Sequence, residues 1–272
     1  DLWTDNHMGY PHGRLRRALD RWLERRWLGA ADAVTVVTEG QREILDARGL
    51  ARRVEVVSNG FLRSPEEVRL DAAAPRLPRE AFRIVFTGRI YAHPGHTAAP
   101  FLDALVRLRA DAEAAFARVR ADFYGRVDDA FHAGVAERGL GGTVRFHGLV
   151  APERALEEQR AADALLALVP AGRREVALTK TYDYVGALRP VLVVGPPDGA
   201  SAAVVREAGS GAAFAPDDVA GMARWLRARA EGPPEPPEAR TGRVERGLRW
   251  CYAALAGEHA AVLSSGAPRP SR

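Results

Sequence analysis

Residues 82–88 read Phe-Arg-Ile-Val-Phe-Thr-Gly, a short apolar run closed by a glycine. A run of that length, rich in aromatic and β-branched residues, predicts a buried strand, 82–87, ending at Gly88. From there the pattern repeats. Strands are expected over 121–124, 143–147, 164–169, 191–194 and 212–214. Helices are expected over 100–115, 129–138, 152–162, 179–187 and 217–229. Strands that alternate with helices of ten or so residues imply right-handed crossovers and a doubly wound parallel sheet.

Upstream, Leu15, Leu19, Trp22, Leu23 and Trp27 recur at helical spacing, with Arg16, Arg17, Asp20, Arg21, Glu24 and Arg25 on the other face. A basic amphipathic helix of this kind can lie on an anionic membrane, but a surface helix with a solvated polar face is the commoner case and is the expectation here. Strands at 33–37 and 54–57 flank a helix at 39–48. The prolines of 63–81 mark a connector, and Gly232-Pro233-Pro234-Glu235-Pro236-Pro237 a stiff spacer before one more amphipathic helix through Val244, Leu248, Cys251, Tyr252 and Leu255. The division expected is 1–62, 63–81, 82–231 and 232–272. The first of these, with two strands, is too small for a sheet of its own.

Composition narrows the function. The 272 residues are 47% hydrophobic and 27% charged, and the mean hydropathy is −0.21. No apolar run approaches the length of a membrane-spanning helix. One cysteine, Cys251, forbids an internal disulfide and suits a reducing cytoplasm. The net charge of +4 is spread along the chain and interleaved with acids, which argues against a dedicated nucleic-acid surface. Among the 39 lysines and arginines, Lys180 is the one lysine.

Ligands of an open parallel sheet bind beyond the carboxyl ends of its strands. Three loops there carry chemistry. In Thr87-Gly88-Arg89, the glycine admits a phosphate to the backbone and Arg89 adds a positive fork. Gly148-Leu149-Val150 could cover a nucleobase. In the third loop Thr179 is read as a helix N-cap, with Lys180 and Asp183 three residues apart on one face of the first turn. A lysine at a helix N-terminus suits a diphosphate, and a carboxylate beside it suits the hydroxyls of a ribose. An ordinary capped helix is the plainer alternative.

The order ADAVTVVTEG, VEVVSNG, FRIVFTGRIY, VRFHGLVAPERAL, LTKTYDYVGALRPVLVV and GSGAAFAPDD resembles the retaining glycosyltransferases of group 1. These have the GT-B fold of two Rossmann-like domains. The resemblance implies a complete donor-binding domain and an incomplete, Rossmann-like acceptor domain, with Asp1-Leu2-Trp3 falling well inside the latter. It also implies that Asp183 contacts the ribose, that Glu175, with seven residues between, contacts the donor sugar, and that Arg89 binds phosphate. Two departures stand out: Asp183 is one methylene shorter than the family's glutamate, and Pro94 and Gly95 stand near the place of the family's phosphate-binding lysine, whose charge Lys180 would supply.

The reading is a cytoplasmic glycosyltransferase, peripheral at most to the inner membrane face. It would move sugar from a nucleotide diphosphate donor to a glycan, lipid-linked or small-molecule acceptor. The expected catalytic residues are Glu175, Arg89 and Lys180. The donor would be bound by Gly88, Arg89, Gly148, Leu149, Val150, Thr179, Lys180 and Asp183. No metal and no cofactor is expected. Histidines 7, 93 and 96 are candidates for acceptor or phosphate contact, more simply read as loop residues. The rivals are a non-catalytic nucleotide-sugar module, one half of a split enzyme needing its N-terminal partner, and a nucleotide-sugar epimerase of the same shape.

Overall fold

The computed structural model describes residues 2–4, 13–74, 80–90 and 98–265. Asp1, His7, His93, Pro94, Gly95 and His96 lie outside them. The second part of the chain forms one parallel sheet from β3 (Phe82–Thr87), β4 (Val119–Tyr124), β5 (Val144–Gly148), β6 (Ala164–Leu168), β7 (Val191–Val194) and β8 (Gly211–Phe214). Their spatial order is β5-β4-β3-β6-β7-β8. The chain thus starts in the middle, builds outward to one edge, returns, and builds to the other. That is the doubly wound fold predicted from sequence, with its switch point between β3 and β6.

Period-two alternation sends the two faces of the sheet into separate cores. Ile84, Phe86 and Phe123 join residues of α4 (Ala98–Asp111), α6 (Asp129–Glu137) and α10 (Val219–Glu231). Val85, Leu165 and Val193 face Tyr184 of α8 (Thr179–Gly186) and Val205 of α9 (Ala200–Ala208). At the β3–β4 end of this second face lies a charged cluster. Arg83 donates to Asp122 at 2.5 Å and to Tyr124 at 2.8 Å, and also pairs with Glu158 of α7 (Pro152–Ala161). Burial pushes the Asp122 carboxyl up, but the His147 ring and Arg83 outweigh it and leave its pKa lowered.

The first part contributes a two-stranded parallel sheet, β1 (Val34–Val36) with β2 (Val54–Val56), and the helices α1 (Arg14–Ala30) and α2 (Glu39–Ala47). Its core is small: Leu2, Val36, Leu45 and Leu50 are the buried apolar members. The two parts meet where the chain crosses. Phe61 N–H donates to the Trp250 carbonyl at 3.0 Å, and Tyr252 N–H donates to that of Phe61 at 3.1 Å. A Cβ at Gly60 would stand 2.4 Å from the Trp250 oxygen, so the crossing requires glycine.

Four elements differ from the sequence reading. The stretch read as connector holds α3 (Pro65–Ala73), started by a capping box between Ser64 and Glu67 with Pro65 in the first turn. α9 was not anticipated. The helix expected over 100–115 is interrupted, with α5 (Glu113–Ala117) following α4. The single C-terminal helix is two, α11 (Pro237–Leu248) and α12 (Tyr252–Ser264), broken where Phe61 pairs with Cys251. It is α12, not the segment from Val244, that returns to the first part, where Arg53 donates to the Ser265 carbonyl at 3.2 Å.

The carboxyl ends of β3, β4 and β5 are drawn together by a row of glycines with positive φ: Gly88 at 127°, Gly125 at 127° and Gly148 at 68°. Gly88 N–H donates to the Tyr124 carbonyl at 2.8 Å, and Gly125 N–H to that of Gly148 at 2.7 Å. A Cβ on Gly125 would come 1.8 Å from the Gly88 oxygen, a backbone atom that cannot give way. Gly125→Ala should therefore cost about 3 kcal/mol and lower the thermal midpoint by roughly 6–12 °C. Gly141→Ala, at a position with open space around it, should shift it by ~2 °C at most. Equal melting curves for the two variants would show that the glycine row is not under this constraint.

Candidate functional site

The loops after β3 and β6 open at the switch point, and two tyrosine and lysine side chains of α8 set its geometry. Tyr184, fully buried, accepts a hydrogen bond from the Thr87 N–H at 3.0 Å. One turn earlier on the same helix face, Lys180 passes over the sheet edge. Its ammonium lies 4.1 Å from the centroid of the Phe86 ring. It also lies 2.6 Å from the place where a side chain at Gly88 would begin. Among the described residues Lys180 has no hydrogen bond or ion pair, and burial alone lowers its pKa to about 8. Asp183 is likewise unpartnered among the described residues, and burial raises its carboxyl to about 6.

Neither shift owes anything to the other group, so the charges that sequence spacing placed on one face do not act as a pair. The reason lies in the helix start. Leu178, not Thr179, is the N-cap residue, with no side-chain cap, because its own N–H is donated to the Ser201 hydroxyl at 3.1 Å. Thr179 is then the first helical residue and accepts from Asn59 at 3.5 Å. Asp183 moves into the second turn, and Lys180 remains in the first.

Beside Lys180, a cavity of about 500 Å³ opens over the glycine row. Arg89, Gly148 and Leu149 line it, as the sequence reading required, and Leu149 is exposed. Val150 does not; it packs against the core on the α8 face. Three residues that sequence reasoning passed over also line this cavity: Arg126, His132 and Phe146. The His132 ring stacks at 4.1 Å on Phe146. A signal for Arg126 was present. Phe86-Thr87-Gly88-Arg89-Ile90 and Phe123-Tyr124-Gly125-Arg126-Val127 are the same motif on adjacent strands, held in register by Phe86 opposite Phe123.

Glu175 belongs to a different space. It lines a cleft of about 570 Å³ between the two parts, together with Thr38, Tyr182, Asp198 and Trp250. The Thr38 hydroxyl, which also caps α2, donates to the Glu175 carbonyl at 2.7 Å. Arg173 pairs with the Glu175 carboxylate at 3.2 Å. The structure therefore gathers Gly88, Arg89, Lys180, Gly148 and Leu149 at one place and sets Glu175 in the neighbouring cleft. Among the described residues no three His, Cys, Asp or Glu side chains converge on a point that could hold a metal ion.

Residues 1–60 match the glycosyl transferase 4-like domain family. No curated protein matches the chain. Solved structures resemble it throughout. HepE of Anabaena, in complex with UDP and glucose, has a TM-score of 0.69 at 17% identity, over 96% of this chain and 70% of its own. TarM of S. aureus, in complex with UDP, fondaparinux and α-GlcNAc-glycerol, has a TM-score of 0.65 at 13% identity, over 91% of this chain and 47% of its own. WaaG, a glycosyltransferase involved in lipopolysaccharide biosynthesis, has 0.61 at 17% identity, over 94% and 71%. The chain spans from about half to seven-tenths of these proteins. At such identities the likeness is one of fold, and with the match over residues 1–60 it places the chain among proteins of the GT-B glycosyltransferase fold.

Proposed function

We propose that this chain binds a nucleoside diphosphate sugar at the carboxyl end of its six-stranded sheet, as the donor half of a retaining glycosyltransferase acting on an acceptor hydroxyl. The observation that carries the reading is the Lys180 ammonium, buried beneath Gly88 with no anionic partner among the described residues. A diphosphate over the glycine row would meet Lys180, Arg89 and Arg126 from three sides. The nucleobase would lie against Leu149 and Phe146, and the sugar would extend toward Glu175. As the bond from the sugar to the diphosphate breaks, negative charge collects on the leaving oxygens. Basic side chains already in position stabilise that charge without reorganising. HepE and TarM were both solved with UDP, which supports the diphosphate end of the reading. A non-catalytic binding module is the second reading, favoured by the small two-stranded first part.

Holding two unpaired charges costs the empty protein stability. Lys180 has a folded pKa of about 8 against an ordinary 10.5. The unfolded chain therefore binds more protons between those values, and stability rises with pH across that window. Asp183 has a folded pKa of about 6 against 3.8. The folded chain binds more protons there, so stability falls as pH rises through that window. Both penalties are present at pH 7. Lys180→Met and Asp183→Asn should each raise the thermal midpoint at pH 7, by roughly 2–4 °C per kcal/mol relieved. Lys180→Met should also abolish the rise above pH 8. A lowered midpoint for both variants would assign these residues to the fold rather than to a ligand.

Calorimetric titration with UDP and GDP tests the donor site directly. At least one should bind, and Lys180→Ala should weaken it roughly tenfold or more by deleting a charge-assisted contact. Affinity in the parent protein should fall as pH rises past about 8, where Lys180 loses its proton, and this fall should be absent from Lys180→Ala. Asp183→Asn should penalise UDP more than its 2′-deoxy analogue. Binding of neither diphosphate overturns the proposal; binding without transfer to any acceptor favours the module.

A further inference from the structure

Helix α1 is mounted with its faces reversed. Its buried residues are the carboxylates Asp20 and Glu24. Glu24 is held from two sides: Thr4 donates its backbone N–H at 3.2 Å and its hydroxyl at 2.6 Å, and Arg48 donates at 3.0 Å. Arg16 stands 3.1 Å from Asp20. The apolar stripe read from the sequence is turned outward instead. Leu15 is 90% exposed, Leu19 47%, Trp22 59% and Trp27 68%. A soluble surface helix with a solvated polar face, the expectation from sequence, would show the opposite arrangement.

We infer that this outward face is a docking surface for an anionic lipid bilayer. Charge complementarity decides for lipid. Arg14, Arg21 and Arg25, all exposed, fall on one line beside the apolar stripe, and Arg26 stands within it. The helix carries six arginines, at 14, 16, 17, 21, 25 and 26, while both of its acids are turned inward and held by arginine. An apolar stripe of leucine and tryptophan bordered by arginine is the pattern of a helix lying in the interface plane, with its rings at headgroup level and its cations on lipid phosphates. The helix has 17 residues, and no helix among the described residues is long and apolar enough to cross a membrane. The contact is therefore one of lying on the surface. The buried Glu24–Thr4–Arg48 cluster is what allows it, because it fixes the polar stripe inward and leaves the apolar one outward.

The test is partition of the full chain into large vesicles, by co-sedimentation and by quenching of tryptophan fluorescence with a quencher carried on lipid. Vesicles of phosphatidylcholine with phosphatidylglycerol should bind the chain and quench it, with binding that weakens as salt rises. Vesicles of phosphatidylcholine alone should bind at least roughly tenfold more weakly. Leu19→Ser combined with Trp22→Ser should reduce partition roughly tenfold or more, with the thermal midpoint unchanged because neither side chain is in the core. Arg21→Gln with Arg25→Gln should erase most of the preference for anionic lipid while leaving the fold intact. Absence of quenching in anionic vesicles overturns the inference. So does a concentration-dependent dimer that Leu19→Ser with Trp22→Ser dissolves, since the stripe would then be an interface between two copies of the chain.

Discussion

The absence of a side chain at Gly88 is the constraint from which the site follows. The Lys180 ammonium occupies the space a Cβ would need, 2.6 Å away, and the hydrogen bond from the Thr87 N–H to Tyr184 locks the helix in the register that brings it there. Lys180 and Tyr184 are one turn apart, so one bond to the end of β3 positions both. Arginine could not replace this lysine easily: its planar fork is broader than the gap between the Phe86 ring and the Gly88 backbone. In a chain otherwise given over to arginine, the one lysine stands where a compact cation on a thin stem is needed.

The separation of Arg89 from Glu175 follows from topology. Arg89 ends β3, and its cavity belongs wholly to the second part. Glu175 lies on the longer loop after β6 and is held by Thr38 of the first part, while its Cβ stands 2.9 Å from where a side chain at Gly40 would begin. The position of Glu175 is thus a joint property of both parts. A sugar spanning the two spaces would have its diphosphate set by one rigid sheet and its reacting end set by how the two parts meet.

The alternation of buried strands and amphipathic helices was legible because each strand of the second part is a short apolar run bounded by turn residues. The misses have local causes. In α9, Ser201, Ala202, Val204, Val205 and Ala208 are all buried, so little polar periodicity survives to mark a helix. In α3, Pro65 drew the eye to a connector, although Ser64 and Glu67 at the spacing of a capping box announced a helix. Thr179 has the chemistry of a cap and was assigned one; the Ser201 hydroxyl, from a helix 22 residues on in the chain, took the N–H that decides the matter. The paired Phe-x-Gly-Arg motifs were visible, but only the strand register shows that their arginines border one cavity.

Helix periodicity defines two faces without saying which is inside, and α1 shows why. The answer there depends on Thr4 and Arg48, distant in sequence, which together satisfy Glu24. A buried carboxylate paired with a guanidinium and a hydroxyl has its charge compensated and serves as an anchor. Lys180 and Asp183 are buried to a similar purpose in reverse. Their pKa values have moved toward the neutral forms, which is the mark of charges whose partners are not supplied by the described protein. The same physical test thus separates the two kinds of buried charge in this chain. Where partners are present the charge holds the fold in place, as at Glu24; where they are absent and the pKa has shifted, the charge is held ready for a ligand that brings the partner with it.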